Sequence, residues 1–93
     1  MELEDYSNPV AVLKKAKQIF GKDFLLLRSR RKNKKYATID PNTGKLVNFG
    51  QLGFQDWTKH RDPNRRKAFL NRNKRWKDAY EYSPAFLSYH LLW

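Results

Sequence analysis

Every proline of this chain follows a residue able to cap or turn a backbone. The four stand in Asn8-Pro9, Asp40-Pro41, Asp62-Pro63 and Ser83-Pro84. A short polar side chain accepts hydrogen bonds from the free N–H groups of a first helical turn. Proline is tolerated at the next position, because its missing N–H would have no intrahelical partner there. Asn8-Pro9, Asp62-Pro63 and Ser83-Pro84 are therefore read as helix starts. Asp40-Pro41 opens Asp40-Pro41-Asn42-Thr43-Gly44, a turn in which proline presets φ and glycine takes the left-handed exit.

What lies between these marks sorts by periodicity. After Pro9, the residues Val10, Leu13, Ala16 and Phe20 recur at helical spacing, with Val12 and Ile19 beside them and Lys14, Lys15 and Lys17 on the wet side. Gly21 is a C-terminal stop, so the spacing predicts a helix over 9–20. Strands are predicted over 23–29 (apolar part Phe24-Leu25-Leu26-Leu27), 36–39 and 46–49, and their short connections favour an antiparallel meander. A second helix is expected from Pro63 to about Ala79, and a short third from Pro84 through Phe86, Leu87 and Tyr89 towards Trp93. Residues 1–8 read as a polar lead-in, and 54–60 declare no local structure. The order α-β-β-β-α-α is an α+β design: one compact domain, 1–93, with helices on one face of a small three-stranded antiparallel sheet. Ninety-three residues leave little room for a second domain, and six Phe, five Tyr and three Trp suffice for a core.

Charge bounds the function. Twenty Lys+Arg against nine Asp+Glu give +11. In residues 1–27, Glu2, Glu4, Asp5 and Asp23 cancel Lys14, Lys15, Lys17 and Lys22, so the whole excess lies in 28–93. Such asymmetry attracts polyanions through counterion release at phosphates. The absence of cysteine excludes disulfides and thiolate metal sites. An acidic N-terminus without an apolar stretch argues against a signal peptide, and Phe24–Leu27 is far too short to span a membrane.

Four features could carry chemistry. In Arg28-Ser29-Arg30-Arg31-Lys32-Asn33-Lys34-Lys35, six of eight residues are cationic. Between two strands this is a phosphate-contacting finger, or a solvated turn, and it also fits a nuclear-localisation pattern. On the helix from Pro63, Ala68, Phe69, Trp76, Ala79 and Tyr80 share a face, while Arg66, Lys67, Lys74 and Lys77 form a candidate second phosphate surface. Arg65 and Arg72 fall within the apolar face, and buried arginines need carboxylates or aromatic planes beside them. They are expected to be structural, with Asp56, Trp57 and Tyr80 as neighbours. Asp56, His60 and Asp62 lack the spacing of a metal set. Asp62 is better explained as a helix cap and Asp56 as an arginine partner, so no metal, cofactor or catalytic residue is expected. The aromatics Tyr36, Phe49, Phe54, Trp57, Trp76, Tyr89 and Trp93 could stack bases but are expected mainly in the core. Leu91-Leu92-Trp93 either tuck inward or dock on a partner.

Beyond these readings, Lys34-Lys35-Tyr36, Asn48-Phe49-Gly50-Gln51, Gly53–Asp62, Arg65-Arg66, Phe69, Arg72-Asn73, Trp76 and the ending Ser83–Trp93 together resemble a family of small basic proteins of large double-stranded DNA viruses and phages. The resemblance covers roughly 22–93. The family has Tyr or Phe where this chain has Trp57, and His-Phe-Gly where it has Asn48-Phe49-Gly50; the missing His weakens any catalytic reading further. The resemblance implies a virion protein, present in host cytoplasm or nucleus during infection, with Asp56, His60, Asp62, Arg65 and Arg72 in one structural network.

The leading expectation is a non-enzymatic, virion-associated protein that binds nucleic acid, DNA ahead of RNA, largely without regard to sequence. Its cations would be Arg28, Arg30, Arg31, Lys32, Lys34, Lys35, Arg66, Lys67, Lys74 and Lys77, clustered on a common side. A minor capsid or cement protein, docking through Leu91, Leu92 and Trp93 on capsid subunits or itself, is the alternative. A metal-dependent nuclease using Asp56 and His60 is the remote third.

Overall fold

The three cap-proline pairs do start helices. A computed structural model describes residues 2–93. Helix α1 spans Pro9–Phe20, with the Asn8 side chain accepting from the Ala11 N–H. Helix α2 is the single turn Trp57–His60. Helix α3 spans Pro63–Arg72, where the Asp62 carboxylate accepts from the N–H groups of Asn64 and Arg65. Helix α4 spans Pro84–Leu87 under the Ser83 hydroxyl. A 3-10 turn at Leu3–Asp5 precedes α1, another at Lys74–Asp78 follows α3, and a π-helical turn at Ser88–Leu92 continues α4.

The sheet is antiparallel in the order β1-β2-β3, with β1 Leu27–Arg28, β2 Lys34–Ile39 and β3 Leu46–Gln51. The architecture is the expected α+β one. In the central strand, Tyr36, Ala37 and Thr38 are all buried, and Tyr36 faces Phe49 across the β2–β3 ladder with ring centroids 5.7 Å apart. Leu3, Val12, Ala16, Leu87, Leu91 and Leu92 complete the core around that pair. The Cα radius of gyration of 12.4 Å is what one domain of this length should have, about 12 Å.

Three boundaries differ from expectation. The first strand is two residues long, because Phe24 folds back on α1: its ring lies 5.0 Å from that of Phe20, which also meets Tyr82 at 5.0 Å. The second helix stops at Arg72, not near Ala79. There the Asn73 backbone N–H makes the helix's final bond to the Phe69 carbonyl at 3.0 Å, and the Asn73 side-chain amide donates to the same oxygen at 3.1 Å. The tighter turn that follows brings Trp76 edge-on to Phe69, 6.0 Å between centroids. Finally, β3 runs on through Gly50, whose φ of 80° only glycine takes freely, and whose missing side chain admits Leu92.

The docking of α4 and its π turn on β3 explains the chain's last residues. Leu91 and Leu92 are 0% and 1% exposed. Trp93 stacks on Phe69 at 4.2 Å, nearly parallel. The expectation that Leu91, Leu92 and Trp93 meet a partner is therefore corrected: they close this chain's own core, where they bury more apolar surface than a free end could.

Candidate functional site

A buried polar chain ties the sheet to α1 and α2. The Lys35 Nζ donates to Asp56 Oδ2 at 3.1 Å, and Thr58 donates to Asp56 Oδ1. Thr58 Oγ1 in turn lies 3.2 Å from Ser7 Oγ, which accepts from the Tyr36 hydroxyl at 2.7 Å. Burial pushes the Tyr36 hydroxyl well above its ordinary range. It also pulls the Lys35 ammonium below its own, against the opposing charge of Asp56.

This overturns two expectations. Lys35 is not a phosphate contact but the buried partner of Asp56. Asp56 does not pair with Arg65 or Arg72. The sequence hides this because a cation at the end of a basic run looks exposed. Strand alternation gives no contrary signal: Lys35 and the core residue Tyr36 point to opposite faces of β2, and both faces are covered, since residues 35 to 38 are all buried.

The rest of the expected network is also rearranged. His60 Nδ1 accepts from the Asp62 N–H at 2.9 Å, and Asp62 caps α3 as anticipated. His60 Nε2 is buried without a hydrogen-bond partner, the ring lying 5.1 Å from that of Trp93. Burial, and then the positive charge of Arg65, hold its pKa below the usual range. No group of three or more His, Asp or Glu among the described residues is placed to share a metal.

Arginines 65, 66 and 72 exchange their expected roles. Arg66 lies over the Trp57 ring, 4.8 Å from its centroid, and its Nε donates to the Trp93 carbonyl at 2.9 Å. It is a structural clamp rather than a free phosphate contact. Arg65 and Arg72 do share the face of Ala68 and Phe69, as helical spacing requires, but that face opens into a cavity of about 390 Å³. Both arginines are exposed. The ion pairs among the described residues are Arg28–Glu4 and Lys35–Asp56, and no Asp or Glu side chain lines the cavity.

The cavity lies at a particular end of the sheet. Residues 29–33 connect β1 to β2 where β3 ends: Lys34 is opposite Gln51, and the Leu52 N–H donates to the Asn33 carbonyl at 2.9 Å. Gln51 and the Lys35 stem line the cavity, while Lys35 and Leu52 also border a smaller recess lined by Arg30, Arg31, Lys32 and Glu2. The loop and the α3 arginines thus flank the same end of β3. Arg28 belongs to the ion pair with exposed Glu4.

Lys67, Lys74 and Lys77 are exposed, and Lys67 and Lys77 do not form the expected extension of the loop. Lys67 lies on the side of α3 opposite Arg65 and Arg72. Lys77 comes three residues before Tyr80, whose hydroxyl donates to Asp40 at 2.8 Å at the other end of the sheet. Of the aromatics, Tyr36 and Phe49 are core residues, and Trp57, Trp76, Tyr89 and Trp93 are partly covered. Phe54, on the cavity rim, is 63% exposed.

Fold and surface together define a small basic α+β domain with a cationic cavity beside a cationic hairpin loop. The chain belongs to a Family of unknown function (DUF5754), whose sequence pattern matches residues 25–73, from just before β1 to just past Arg72. No curated protein and no solved structure matches it.

Proposed function

We propose that this protein binds nucleic acid, DNA ahead of RNA, through its phosphates and largely without regard to sequence, as a non-enzymatic component of a virion that organises the genome. What supports this is the placement of Arg65 and Arg72, exposed and without a carboxylate partner, at the end of the sheet that also carries the 29–33 loop. Arg30, Arg31, Lys32, Lys34, Arg65 and Arg72 are the contacting cations. Guanidinium and ammonium groups on phosphates position a polymer but carry no base information, hence the indifference to sequence. The virion setting comes from the resemblance to viral proteins in the residues quoted above.

A salt titration of binding to a mixed-sequence duplex tests the contact. Six phosphate contacts give a slope of log K against log salt near −5, so affinity should fall on the order of a thousandfold between 50 and 200 mM salt. Affinity that barely changes over that range overturns the reading. Disrupted virions test the setting: the protein should leave with the DNA, and retention on empty shells would assign it to the capsid instead.

A further inference from the structure

The cavity beside α3 is concave and partly aromatic, which a duplex phosphate surface does not require. At about 390 Å³ it falls in the size range of small-molecule pockets. Its inner wall is Phe69 stacked on Trp93, and Phe54 stands at its rim with 63% of its surface in water. Phe54 follows Gly53, which takes a positive φ, and is not among the residues packed in or against the core.

The polar groups of the cavity have a matching chemistry. Arg65 and Arg72 offer planar guanidinium donors suited to phosphate, and no Asp or Glu side chain in the lining competes for them. The Gln55 amide nitrogen donates to the Asp5 carbonyl at 3.2 Å, which directs its oxygen elsewhere. Gln51 and Gln55 together can accept from or donate to the edge of any base, because an amide presents both functions.

We propose that this cavity is a subsite for one unpaired nucleotide of a single strand: the base stacks on Phe54, and Arg65 and Arg72 hold the adjoining phosphates. This rests on the nucleic-acid reading above and adds a preference to it. In a duplex each base face is covered by its neighbours, so Phe54 has no open face to stack on. A single strand gains an aromatic stack with every register it adopts, which is sequence-tolerant because every base has a π face.

The test compares a 12-nucleotide oligothymidylate with a 12-base-pair duplex by fluorescence anisotropy over a series of salt concentrations, the two polymers being compared at equal salt. The proteins are the natural chain, Phe54→Ala, Arg65→Gln/Arg72→Gln, and the loop variant Arg30→Gln/Arg31→Gln. Phe54→Ala should weaken single-strand binding by about five- to hundredfold and leave duplex binding within about twofold. Phe54 is exposed, so an unchanged melting curve verifies the fold. Arg65→Gln/Arg72→Gln should lower the single-strand salt slope by about 1.4, the value for two phosphates.

Oligothymidylate should also quench tryptophan fluorescence, through Trp93 in the cavity wall, and Phe54→Ala should reduce that quenching at equal occupancy. If Phe54→Ala leaves single-strand binding unchanged, or lowers both polymers equally, the subsite is overturned. Loop-dependent binding then preserves the broader reading. If the natural chain binds neither polymer, both fall. Inorganic phosphate or an oligoglutamate peptide competing as well as oligothymidylate would show a general anion site and overturn the base-stacking claim.

Discussion

Lys35 and Asp56 form an ion pair sealed from solvent, Nζ to Oδ2 at 3.1 Å, with side chains 3% and 0% exposed. The pair joins β2 to the start of α2, and its desolvation outweighs its attraction at the lysine, whose pKa is lowered by burial despite Asp56. Removing one partner strands the other. Lys35→Met or Asp56→Leu alone should cost about 3–5 kcal/mol, whereas the double variant should recover at least half of that. Urea denaturation of the three variants checks it; additive losses would contradict the relationship.

Gly50 is the second point where α4 and its π turn meet the sheet. A Cβ there would lie 2.7 Å from Leu92 Cδ1 and 3.2 Å from Lys35 Cβ, on a backbone with φ of 80°. Leu92 and Lys35 are both buried and cannot move outward cheaply. Gly50→Ala should therefore destabilise by about 2–4 kcal/mol, combining backbone strain with overpacking, measured as a lowered denaturation midpoint at unchanged slope.

Arg66 and Arg72 should separate stability from binding. Arg66 holds Trp57 and the Trp93 carbonyl, so Arg66→Ala should lower stability by about 1–2 kcal/mol through lost cation–π and hydrogen-bond contacts. Exposed Arg72 has no carboxylate partner among the described residues, so Arg72→Gln should melt within about half a kcal/mol of the natural chain, yet bind DNA more weakly. Calorimetry and anisotropy on the same samples give the comparison.

His60 couples the fold to pH. Its Nδ1 accepts the Asp62 N–H, so the neutral ring carries its proton on the buried Nε2. Burial and Arg65 lower its pKa from the ordinary 6.5. The unfolded chain therefore takes up the proton first as pH falls. The stability due to neutral His60 is complete above about pH 6.5 and is lost as pH drops through the lower folded value. His60→Gln should flatten this limb of a stability curve between pH 7 and 5. An unchanged limb would assign it to other groups.

Local chemistry was readable directly. Asn8, Asp62 and Ser83 cap the helices their sequence context announces, and Asp40 to Gly44 turns as its residues require. These outcomes depend on neighbours within a few positions, where side-chain type dictates the hydrogen bond. The face shared by Arg65, Ala68, Phe69 and Arg72 was readable too, since helical spacing alone sets it. What covers that face was not readable: Phe69 meets Trp93 across 24 positions, while the flanking arginines are left in water.

By itself, then, the sequence determined the α+β order, the helix starts, the sheet's antiparallel connections and the concentration of positive charge after residue 27. Tertiary structure decided which cations are free. It buried Lys35 against Asp56, committed Arg66 to Trp57 and Trp93, and left Arg65 and Arg72 open beside Phe54. The physical reason is that a charge's state depends on its solvation and on partners brought from elsewhere in the chain, and neither is encoded in the spacing of the residues around it.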